Sequence, residues 1–109
     1  MHQEPAVRFC SVLDLRREHR VTQWVDELRD ELTAVYLDGE IIVTSSVCLH
    51  MGGEFNIDWR KKHFRCCWHG WRFDIKTGES LSYALPGRRL KHYDYEVRGD
   101  DLYVRVPDP

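Results

Sequence analysis

Two short stretches decide how this chain is read: Cys48-Leu49-His50-Met51-Gly52-Gly53 and Cys66-Cys67-Trp68-His69-Gly70-Trp71, with the fifteen residues Met51 to Arg65 between His50 and Cys66. Each supplies one cysteine, one histidine and glycine on the far side. Each also follows strand-like sequence, so the four side chains are predicted on two loops that face each other at one end of a sheet. Thiolate sulfur and imidazole nitrogen suit borderline metals, iron and zinc foremost. Zinc fingers present two cysteines together and then two histidines, Cys-x2-4-Cys followed by His-x3-5-His. The mixed pairing suits a two-iron centre instead, in which two thiolates hold one iron and two imidazoles the other. A zinc-stabilised structural or interaction module is the alternative from another class.

Outward from these loops the pattern is one of strands. Leu32 to Leu37 and Glu40 to Val47 flank Asp38-Gly39, a pair that accepts the positive φ angles of a type I′ hairpin turn, and the second strand runs straight into Cys48. Tyr93, Tyr95 and Val97 alternate with charged residues, and the alternation resumes after Gly99-Asp100-Asp101 with Leu102, Val104 and Val106. Val7, Phe9 and Leu13 predict a first strand, and Ile75-Lys76-Thr77-Gly78 a tight turn. Val21, Trp24, Val25, Leu28 and Leu32 recur at helical spacing, but the β-rich neighbourhood favours a strand near residues 20 to 25 followed by a turn.

A chain of 109 residues has room for one domain with a modest core and none for a second catalytic domain. Sixteen basic against 18 acidic residues give a formal charge of -2, which offers no general attraction to nucleic acid or an anionic membrane. There is no apolar run of membrane-spanning length, and Arg16-Arg17 has no apolar segment behind it, so a cytoplasmic location is expected. In a reducing compartment the four cysteines are not expected to form disulfides, and Cys10 and Cys67 read as small, sequestered thiols.

The spacing Cys-x-His, a spacer of this length, then Cys-x-x-His resembles the motif of the Rieske 2Fe-2S family. The likeness continues through Trp71-Arg72-Phe73-Asp74-Ile75-Lys76-Thr77-Gly78 and, more weakly, through the strand pattern of most of the chain. It implies an all-β fold, a Rieske-like antiparallel β-sandwich or barrel. Residues 1-109 would form a single domain, with a small cluster-binding subdomain at approximately 46-87 inserted in a basal β domain. It implies one 2Fe-2S cluster per chain, with Cys48 and Cys66 on the inner iron and His50 and His69 on the outer. Leu85-Pro86-Gly87 is similar to the loop that covers the cluster in that family. Gly52, Gly53 and Gly70 would let backbone approach the cluster and aim N–H groups at its sulfurs, besides forming ordinary turns. Trp68 and Trp71 would shield it, or simply be core aromatics.

Gly53 and Trp68 stand where high-potential members of the family carry an extra pair of cysteines joined as a disulfide, and Trp71 where they carry a serine that donates to a cluster sulfide. Fewer such bonds imply a potential near the lower end of the Rieske range of roughly -150 to +300 mV, falling with rising pH as reduction raises the proton affinity of His50 and His69.

The function the resemblance implies is a soluble ferredoxin, monomeric and not itself an enzyme. It would carry single electrons from a flavin-dependent reductase to a terminal oxygenase. The run from His69 to Asp74 is equally similar to the Rieske domain of oxygenase large subunits, which is the alternative within the family. Arg60, Lys61, Lys62, His63 and Arg65 form a basic run between the ligand loops. It is expected to be a solvated hairpin, and it offers a patch that could steer an acidic redox partner.

Overall fold

A computed structural model describes residues 5–45, 55–66, 71–81 and 89–106. The strands there are β1 (Ala6–Ser11), β2 (Arg20–Val25), β3 (Asp30–Leu37), β4 (Glu40–Ser45), β5 (Phe55–Asp58), β6 (His63–Cys66), β7 (Arg72–Asp74), β8 (Tyr95–Arg98) and β9 (Asp101–Arg105), with one helix, α1 (Val12–Glu18). They form three antiparallel sheets, in the orders β1-β9-β8, β2-β3-β4 and β5-β6-β7.

The middle sheet organises the rest because β3 is buried on both faces. Leu32 and Ala34 join one core with Phe9, Cys10, Leu15, Val25, Val43, Tyr93, Leu102 and Val104, while Val35 and Leu37 join a second with Ile42, Phe64, Phe73, Ile75 and Leu90. Successive side chains on a strand point to opposite faces, so a strand with cores on both sides reads as the near-continuous apolar run Leu-Thr-Ala-Val-Tyr-Leu seen here. The registers agree: Val35 lies opposite Ile42 on one face, and Ala34 opposite Val43 on the other. The first core welds the middle sheet to β1-β9-β8; the second welds it to the short strands β5-β6-β7.

The β3–β4 hairpin is as expected, with Asp38 at φ 53° and Gly39 at φ 77°. Residues 20 to 25 form a strand followed by a turn. Val21 and Gln23 lie opposite Ala34 and Leu32 of the first core, Val25 is itself buried in that core, and Trp24 is turned outward, 57% exposed, with its indole Nε1 donating to Asp26 Oδ1 at 2.7 Å.

Two boundaries differ from the sequence reading. Leu13 is not in the first strand: it lies in α1, 68% exposed, while Leu15 takes the buried position. The helix starts because Ser11 caps it, its Oγ accepting from Asp14 N–H at 3.0 Å. It stops because His19 adopts the left-handed conformation at φ 66° and donates its N–H to Leu15 O at 2.7 Å. A β-bulge between Arg8 and Cys10 turns both Phe9 and Cys10 inward, where burial raises the Cys10 thiol pKa. The late hairpin also begins at Tyr95 and not at Tyr93. Tyr93 is buried, donating its N–H to Val43 O at 2.9 Å and its Oη to Asp30 Oδ2 at 2.8 Å. No helix among the described residues is long and apolar enough to cross a membrane.

Candidate metal centre

The β5-β6-β7 sheet fixes the positions from which the candidate ligands depart. Phe55, the first residue of β5, pairs with Cys66, the last of β6. Arg65 pairs with Arg72, the first residue of β7. Beyond β7, Phe73 bridges to Ser80, and Leu81 N–H donates to Arg72 O at 2.8 Å. Phe55 with Cys66 and, one residue inward, Arg72 with Leu81 therefore lie at one end of this sheet, which is about 14 Å wide at the usual strand spacing. From that end depart the segments 46–54, 67–70 and 82–88. The first holds Cys48 and His50, the second His69, and the third Leu85-Pro86-Gly87.

Of the four candidate ligands, Cys66 is thus the last residue of a strand and not part of a loop. Cys48, His50 and His69 lie outside the described residues, as do Gly52, Gly53, Cys67, Trp68, Gly70 and the proline segment. Their anchors are described. Ser45 ends β4 three residues before Cys48, and its N–H donates to Lys91 O at 3.0 Å; its Oγ bonds Asp30 Oδ1 at 3.2 Å. Trp71 packs against the second core, so the residue two places beyond His69 is held by burial of its ring. The donor set of two thiolates and two imidazoles, anchored at one sheet end, fits a two-iron cluster. Among the described residues no other group of three His, Cys, Asp or Glu side chains could hold a metal ion.

The opposite end of the same sheet has different chemistry. The turn from Trp59 to Lys62 joins β5 to β6 and carries the basic run expected to be a solvated hairpin, which it is. His63 pairs with Asp58, three residues along β6 from Cys66, so the tip lies about 10 Å from the ligand end, while Arg65 of the same run adjoins Cys66. Lys62 is also engaged elsewhere. Its Nζ lies 2.7 Å from Asp38 Oδ2, which also takes Lys76 Nζ at 3.4 Å. The hydrogen bond from Lys62 holds the Asp38 carboxyl below its usual pKa, and the same contact raises Lys62.

Past the Ile75–Gly78 turn the chain presents charge that the sequence reading passed over. Asp74 Oδ1 accepts from the N–H groups of Lys76 and Thr77, both at 2.9 Å, closing the turn, and Gly78 sits at φ 76° against His92 and Leu90. Arg89 then pairs with Glu79 at 2.9 Å, and Leu90 N–H donates to Gly78 O at 2.8 Å. The signal was present in Arg88-Arg89-Leu90-Lys91-His92, a basic run just after Pro86-Gly87.

The profile of the Rieske [2Fe-2S] domain matches residues 6–94. This chain belongs to the Rieske family. A single 2Fe-2S cluster is the family's cofactor. The chain is 31% identical over 94 residues to the iron-sulfur subunit of menaquinol:cytochrome c reductase from Geobacillus thermodenitrificans, covering 79% of this chain and 53% of that one. It is 31% identical over 77 residues to the ferredoxin component of the p-cumate 2,3-dioxygenase system of Pseudomonas putida, covering 67% of this chain and 64% of the relative. A methylxanthine N3-demethylase of Pseudomonas putida matches at 27% over 90 residues, 72% of this chain and 25% of its own length. The chain thus spans between a quarter and two thirds of these curated relatives. Among solved structures, the ferredoxin of Sphingomonas yanoikuyae B1 superposes with a TM-score of 0.79 at 23% identity, covering 94% of this chain and 100% of that one, which establishes the shared fold.

Proposed function

We propose that this chain is a Rieske ferredoxin that carries single electrons from a flavin-dependent reductase to a terminal oxygenase. Cys48 and Cys66 would hold one iron of its cluster, and His50 and His69 the other. The observation that carries the reading is the anchoring at one sheet end: Cys66 stands there as the last residue of β6, and the segments that hold Cys48 with His50, His69, and the proline loop begin or end there as well. When bound, the cluster supplies reversible one-electron chemistry. The chain's own residues do the rest. Phe64, Phe73, Ile75 and Leu90, each 1% exposed or less, provide the rigid floor behind the ligand segments, and Asp30 ties the exit of β4 to Tyr93. Residues 46-87 would then act as the cluster-binding subdomain of a single domain over 1-109, working as a cytoplasmic monomer.

The match to a quarter of the methylxanthine demethylase favours a second reading, in which this sequence is the Rieske domain of an oxygenase. A gel of the native protein separates the two by size. Potentiometric titration tests the first directly: a one-electron wave near the lower end of roughly -150 to +300 mV is expected, as for a cluster with few hydrogen bonds to sulfur. A midpoint well above 0 mV would contradict the ferredoxin assignment.

A further inference from the structure

The outer strands of the two sheets around the first core are not alike. β1 and β2 meet at the bulge between Arg8 and Cys10, where the Gln23 side-chain amide donates to Phe9 O. The outer side of β4 is bridged by the 91–93 segment, through Thr44 with His92 and through the Ser45 N–H on Lys91 O. β8 ends the order β1-β9-β8, and among the described residues no strand or bridge lies on its outer side. It carries no proline, lysine or bulge, the usual means of blunting an edge.

Tyr95 and Val97 lie opposite Val104 and Leu102, so they face the side of the first core, yet they are 37% and 48% exposed while those partners are buried. Arg105 N–H donates to Asp94 O at 2.9 Å. Bonded and unbonded pairs alternate along an antiparallel ladder, so Glu96 and Arg98 turn their main-chain groups to β9, and Tyr95 and Val97 turn theirs outward. Apolar side chains and outward peptide groups thus fall on the same two residues.

We propose that the β8 edge pairs antiparallel with β8 of a second copy, in a two-fold dimer that exchanges reversibly with the monomer. Charge selects the register. With the two-fold axis at Val97, that residue forms a bonded pair with its own counterpart, and Glu96 stands opposite Arg98 of the second copy at two unbonded positions, where side chains are closest. Moving the axis to Glu96 or to Arg98 brings like charges together there instead. Within one copy Glu96 already pairs with Arg98, whose guanidinium lies over the Tyr103 ring at 4.7 Å, so both charges are ordered beforehand. Four residues make a short interface, hence the reversibility. The pairing lies behind the first core and leaves the ligand end, behind the second, uncovered. It therefore stands apart from the electron-carrier reading.

Sedimentation equilibrium of the protein as isolated, over a concentration series, tests the pairing. The average mass should climb from one chain toward two, and added salt should lower it. Val97→Lys sets two ammonium groups against each other on the axis and should weaken association at least about ten-fold. Glu96→Arg or Arg98→Glu alone should weaken it roughly ten-fold, and the two together should bring it back, because opposite charges then face each other again. Trp24→Ser, which removes a more exposed apolar residue from β2, should leave it unchanged. All variants are compared at a temperature where circular dichroism shows them folded. A mass of one chain at about 1 mM protein, the weak end of specific association, would overturn the proposal. So would indifference to Val97→Lys, or a double swap no tighter than the single changes.

Discussion

The two cores of this protein are built on opposite faces of one sheet and differ in what they depend on. The first lies between strands of five to eight residues and a capped helix, and closes around Leu15, Leu32, Ala34 and Leu102, all 0% exposed. The second lies beneath three strands of three or four residues and borrows half its wall from Val35, Leu37 and Ile42 of the middle sheet. Strands that short do not hold a sheet without packing or a cross-link. The contrast assigns the first core to global stability and the second to keeping the ligand segments in register.

That division can be broken by a pair of truncations. Leu102→Ala should cost about 2–5 kcal/mol and Phe73→Ala about 3–5 kcal/mol. In thermal melts, Leu102→Ala should lose colour and secondary structure together, whereas Phe73→Ala should bleach the visible absorption below the temperature at which circular dichroism reports unfolding. Coincident loss in both variants would erase the distinction.

The glycines sharpen it at a smaller scale. Gly39 and Gly78 share φ near 77°, but a Cβ at Gly39 would meet open space, and one at Gly78 would lie 2.6 Å from His92 Cε1 and 2.8 Å from Leu90 O. Gly39→Ala should cost about 1–2 kcal/mol for the left-handed backbone alone. Gly78→Ala should cost more in urea titration, because the 75–78 turn must also part from the 89–92 segment; equal costs would show that this contact yields freely.

The smallest effect concerns Tyr93 in the first core. Burial, then the bond to Asp30, raises the Tyr93 phenol well above its ordinary value, so the folded state keeps that proton more tightly than the unfolded chain does. The stability this confers is complete below pH of about 10, where an unfolded tyrosine titrates, and declines as pH rises further. Tyr93→Phe should flatten the alkaline fall in denaturation midpoint; an unaltered slope would show that other groups govern it.

The base of the fold was legible because burial on one or two faces leaves a period in the sequence. Asp38-Gly39 marked its hairpin, and the β-rich neighbourhood of Val21 and Val25 outweighed the helical spacing. The helix was not, since seven residues with one buried leucine give little periodicity; Ser11 with Asp14 three residues later was the available sign. The four candidate ligands were legible in their spacing. What no spacing showed was which end of the sheet each charged run would occupy. That depends on strand pairing, which sends Arg60 to Lys62 away from Cys66, pairs Arg89 with Glu79 and brings Lys91 to the end of β4.

Analysis of iron, zinc and acid-labile sulfide in freshly purified protein, beside a Cys48→Ser variant, tests the central claim most directly. The account predicts iron and sulfide in equal amounts with a reddish-brown colour in the wild type, both lost in the variant. Stoichiometric zinc without sulfide, or a chromophore that survives loss of Cys48, would contradict it.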